Sequence, residues 1–144
     1  MKNKTIATLL ALLGGPLGLH RFYLHGWRDG WGWFLPVPTL VGVVGALRTR
    51  LFGVDDQLGW LLAPSLGFVI AACALTAIVY GLSSAERWNR RHNPTAAEDA
   101  LAGTTNWLTI VTVVLALLLG TTALMSALAL SFQHFFEYQR LNTP

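Results

Sequence analysis

Four histidines, a single cysteine and one pair of adjacent aspartates are the residues of this 144-residue sequence that could carry chemistry. A metal site needs such donors at ligand spacing. Here His20, His25, His92 and His134 are scattered over three polar stretches, without a cysteine or carboxylate at such a spacing. Cys73 sits in the middle of an apolar run and has no second cysteine for a disulfide or a thiolate cage. Asp55 and Asp56 fall in a short gap beside Gly53, where a solvated turn counter-charged by Arg48 and Arg50 is the expected role. No catalytic site, cofactor or metal is therefore expected, and the protein reads as a non-enzyme. Ten Lys and Arg against seven Asp and Glu give a net charge of +3. Those basic residues lie between apolar runs, where membrane topology accounts for them, so nucleic acid is not an expected partner.

The elements that carry these residues are apolar. Charged residues make up 12% of the chain, about half the share of an ordinary soluble domain, and mean hydropathy is +0.50. Residues 5–19, 31–47, 58–82 and 104–132 contain no Asp, Glu, Lys, Arg or His and hold 15, 17, 25 and 29 residues. As helices the last two reach about 37 and 43 Å, more than the ~30 Å hydrocarbon core, whereas the first two reach about 22 and 25 Å. The expectation is an all-α polytopic membrane protein of four transmembrane helices in two hairpins, residues 1–47 and 48–144. The shorter pair is credible only as a packed hairpin. No small-x-small cleavage site follows the first run, so it reads as a retained segment and not a signal peptide.

The first hairpin carries interruptions. Gly14-Gly15-Pro16-Leu17-Gly18 removes one amide donor and three side chains from a helix interior, which predicts a kink or break satisfied inside the bundle. Pro36 and Pro38 repeat the theme in the second run. Gly14 with Gly18, and Gly26 with Gly30, have the spacing of close helix packing. The alternative for two broken neighbours is an ion or substrate site, making the protein a small channel or transporter subunit.

After the glycines come Leu19-His20-Arg21-Phe22-Tyr23-Leu24-His25-Gly26, then Gly30 and the second apolar run. From Met1 to Leu47 this resembles the TM2 domain family, two transmembrane helices joined by a short linker with an Asp-Arg-Phe or His-Arg-Phe-Tyr signature behind a glycine-rich helix end. His20 stands where many members have aspartate, and His25 where relatives often have glycine. The resemblance implies at most a membrane-anchoring or partner-binding role, and it marks Gly14, Gly15, Gly18, His20, Arg21, Phe22, Tyr23 and Gly26 as the motif. Read physically, Arg21 ends a run too short to span and needs carbonyls, a carboxylate or a lipid phosphate. Phe22 and Tyr23, with Trp27, Trp31 and Trp33, suit a membrane interface.

In the gap 83–103, Arg87, Arg90 and Arg91 fall on one side of a helix that continues past Leu82, with Glu86 placed to pair with Arg90. An anionic-lipid contact or a plain topology anchor follows. Thr95 and Glu98 have the form of a capping box. The expected partners are the lipid bilayer and a membrane protein or second copy of the chain. Four spans would place both termini on one side, expected to be the cytoplasmic face of a bacterial inner membrane. The basic residues then divide five against five, and the free amino terminus beside Lys2 and Lys4 decides.

Overall fold

The computed structural model describes residues 1–53 and 56–142, the last two by backbone only. All the regular structure there is helical: α1 Lys4–Leu13, α2 Leu19–His25, α3 Gly30–Phe34, α4 Pro36–Phe52, α5 Gln57–Leu82, α6 Ala85–His92 and α7 Trp107–Asn142. Three segments are long and apolar enough to cross a membrane: Gly30–Phe52, Gln57–Leu82 and Leu101–Arg140. Four had been expected. The missing one is the first apolar run, of which only ten residues form α1, about 15 Å of helix and half of a hydrocarbon core.

That shortfall follows from residues 14–18. Gly14 ends α1, a 3₁₀ turn takes up Gly15–Leu17 with Pro16 in its first turn, and Gly18 adopts the left-handed φ of 75° that starts α2. The turn reverses the chain. Along α5, Lys4 reaches the carbonyl of Ser83, Ala11 packs on Ala74 and Ala77, and Gly15 lies on Cys73, so α1 descends about ten residues of α5. α2 then climbs back: the ring of His20 lies 6.1 Å from that of Tyr80, and Leu24 packs with Trp88. Pro36 and Pro38 break nothing, because they occupy the first turn of α4, where amides have no helical acceptor.

The long helices pack through small residues, as they must where lipid is as apolar as leucine. Gly42 and Gly45 bring α4 onto α5 so closely that added Cβ atoms would lie 2.5 and 2.7 Å from the Cβ atoms of Leu66 and Leu62. Gly67 of α5 and Gly120 of α7 do the same against Ala127 and Ala74. The centre is built of Ala11, Ala74, Ala77 and Ala116, each no more than 1% exposed. Gly26 and Gly30 do not share in this: a Cβ added at either would meet nothing within 4 Å, and Gly26 instead closes α2 with a φ of 82°.

One end of the bundle holds residue 2, the end of α2, the gap 83–103 and the start of α7. The other holds Gly53, the start of α5, and the later part of α7, where His134 stacks on Trp60 at 5.8 Å. The N-terminus thus lies on the side of the gap 83–103, not opposite it as four spans required. The boundary between residues 47 and 48 falls inside α4. Asp55 lies outside the described residues; Asp56 caps α5 through the amide of Gly59 and takes both Nε and Nη2 of Arg48 at 2.9 Å.

Candidate functional site

The motif residues gather where the reversed chain meets α5 and α6. Gly14, Gly15 and Gly18 are buried. A Cβ on Gly14 would meet Leu19 of α2 at 2.5 Å, one on Gly15 would meet Cys73 of α5 at 2.6 Å, and one on Gly18 would run into the carbonyl of Gly32. The freed carbonyl of Pro16 accepts from the hydroxyl of Thr39 at 2.8 Å. Neighbouring protein therefore satisfies the break, as the sequence requires.

Arg21 finds a carboxylate. Its Nε donates to Asp29 at 2.6 Å, and Asp29 also caps α3 by accepting from the amide of Trp31. The Arg21 guanidinium holds the Asp29 carboxyl below the usual carboxylate range. His25 Nδ1 lies 3.5 Å from the same oxygen. Phe22 stacks on Trp27 at 5.1 Å and meets Trp33 edge-on, while the indole of Trp33 donates to the carbonyl of Trp27. Tyr23 turns the other way, and its hydroxyl accepts from the amide of Asn3 at 2.8 Å. His20 is 3% exposed, and its Nδ1 has no hydrogen-bond partner among the described residues. It lines a cleft of about 150 Å³ with Arg21, Cys73, Thr76 and Tyr80.

Sequence reasoning did not anticipate the polar clamp on the N-terminus. Lys4 is fully buried, and its ammonium donates to the carbonyl of Ser83 at 2.9 Å and to the hydroxyl of Thr105 at 2.7 Å. Lys2 donates its ammonium to the carbonyl of Leu24. Each cation thus meets the C-terminal end of a helix, α5 and α2 respectively, where unpaired carbonyls carry partial negative charge. The Lys2 backbone is held as well: its amide donates to Asn93 at 2.6 Å, and its carbonyl accepts from Trp88 and Asn93. Lysines before an apolar run read as orientation signals; only the fold reveals the helix ends that they cap.

In α6, Trp88 and Asn89 are buried while Arg87, Arg90 and Arg91 stay exposed. Arg90 pairs with Glu98 at 3.1 Å, not with the expected Glu86. Thr95 starts no helix. Residues 94–100 form turns, held by the Asn89 amide donating at 2.9 Å to the carbonyls of Glu98 and Ala100. Burial beside Trp88, 4.2 Å away ring to ring, holds His92 below its ordinary pKa and so favours the neutral imidazole. Among the described residues, no group of three or more His, Cys, Asp or Glu could hold a metal ion.

This geometry, apolar helices with a glycine-turned hairpin and an arginine-carboxylate pair at one end, defines a helical integral membrane protein. Its N-terminal third carries a TM2 domain: the model of that family matches residues 1–47. No curated protein and no solved structure matches the chain.

Proposed function

We propose that the protein is a non-enzymatic, multi-pass membrane protein of structural or partner-binding role, with α3–α4, α5 and α7 as three crossings. In this reading α1 and α2 dip to about half depth from one face and return. The observation that carries it is the filling of the turn at residues 14–18 by Leu19, Cys73 and Gly32, which supports a packed joint over a conduction path. Exposed Trp27, Trp31 and Trp33 form a surface suited to the interface and to a membrane-protein partner or second copy.

Orientation follows from charge. Lys2, Lys4, Arg21, Arg28, Arg87, Arg90 and Arg91 gather at the N-terminal end of the bundle, and Arg48, Arg50 and Arg140 at the other, seven against three of the ten basic residues. The N-terminal end is thus cytoplasmic and the C-terminus is outside, in a membrane of the bacterial inner type. Single cysteines at Asn3, Gln57 and Thr95 in a Cys73→Ser background test this in intact cells. Labelling from outside at Gln57 alone is expected; labelling at Asn3 and Thr95 would reverse the orientation, and opposite behaviour of those two would restore four spans.

A second reading, a small channel or transporter subunit, draws on the unpartnered Nδ1 of His20 in its cleft. Ion flux through reconstituted vesicles above that of empty ones would favour it.

A further inference from the structure

The last two turns of α5 and the exposed face of α6 form one continuous groove. Its lower wall is apolar: Val79 is 58% and Leu82 72% exposed, with Ile78 half-buried behind them. Its upper rim is Arg87 and Arg91, and the whole encloses about 370 Å³. The same two arginines also line a polar depression with Ser84, Glu86 and Arg90.

We infer that this groove binds one anionic glycerophospholipid, its phosphate on Arg87 and Arg91 and an acyl chain along Ile78, Val79 and Leu82. The inference rests on the reading of α5 as a crossing that ends near Leu82, which sets the arginines at headgroup level. Three features of the groove support this occupant. Arg87 and Arg91 lie four residues apart on one helix face, and among the described residues neither makes an ion pair, whereas Arg90 is taken by Glu98. Guanidinium groups match phosphate oxygens in geometry and charge, and the single carboxylate in the depression, Glu86, leaves the rim net positive. The helix bearing them is fixed, because Trp88 donates to the carbonyl of Lys2 at 2.9 Å and Asn89 to those of Glu98 and Ala100, so little order has to be gained on binding. A free phosphate would use the rim alone. Only an amphiphile uses the rim and the wall together.

The test is native mass spectrometry of the full chain in neutral detergent, titrated with phosphatidylglycerol or with phosphatidylcholine of identical acyl chains. The wild type is expected to retain phosphatidylglycerol preferentially. At about 1 kcal/mol per basic residue, Arg87→Gln with Arg91→Gln should weaken that retention roughly thirty-fold. Arg87→Lys with Arg91→Lys should keep most of it, and Arg28→Gln, at the same end of the bundle, should change nothing. Val79→Trp, which fills the groove and leaves the arginines intact, should also lower retention. Unchanged selectivity in a folded glutamine pair would overturn the proposal, as would an unaffected Val79→Trp or displacement of the lipid by excess glycerol phosphate. Should the glutamine pair fail to fold, Val79→Trp and the lysine pair decide. None of these readouts depends on which face is cytoplasmic, so failure here is distinct from failure of the labelling experiment.

Discussion

Arg21 and Asp29 sit at the mouth of the reversed hairpin, and their pairing makes the hairpin sensitive to acid. Asp29 has a depressed carboxyl, so the folded state favours its ionised form. That stabilisation is complete above the ordinary carboxylate range near 4 and is lost as pH falls through the lower folded value. Melting temperature in detergent should therefore drop below about pH 4, and Asp29→Asn should flatten that drop. Arg21→Ala should lower the melting temperature at neutral pH, while Arg140→Ala near the chain end should not. Gly18 tests the turn itself. Its φ of 75° and its contact with the carbonyl of Gly32 leave no room for a side chain, so Gly18→Ala should cost about 3 kcal/mol in equilibrium unfolding. Gly30→Ala, in open space, should be neutral.

Among the elements, the helical class, the two long apolar helices and the break at residues 14–18 were legible, because run length and Gly/Pro content determine them directly. The direction of the chain after the break was not. A kink and a reversal have the same composition, and what separates them is Thr39 meeting Pro16 and Gly18 meeting Gly32, contacts between segments distant in sequence. The motif around Arg21 was readable down to its need for a counter-group, yet Asp29 as that group required knowing that the chain turns at Gly26. Buried Asn89 and Asn93 gave no signal, since nothing in their local sequence marks the first as the tie of residues 94–100 and the second as the tie of the Lys2 backbone. Glycine spacing misled once: Gly26 and Gly30 have the right interval but face open space where a Cβ would lie, while Gly42 and Gly45, three apart, carry the α4–α5 contact. Gly45→Val should therefore separate those helices and destabilise the protein by about 2 kcal/mol, measured by thermal unfolding in detergent.

At the scale of the whole molecule, the N-terminus is fastened by residues that come much later in the chain. Lys4 bonds Thr105 across 101 positions, and Lys2 bonds Asn93 across 91. Lys4→Met removes the donor to Ser83 and Thr105 and should expose the first residues to aminopeptidase, read as trimming of the purified protein. The clamp also imposes an order in time. During synthesis the first 25 residues leave the ribosome long before their seat exists, and they cannot dock until α5, α6 and the start of α7 have been delivered. The hairpin that begins the sequence is thus seated only after most of the chain has been made. A nascent chain arrested before Thr105 should leave its first residues open to protease, and one released beyond α7 should protect them.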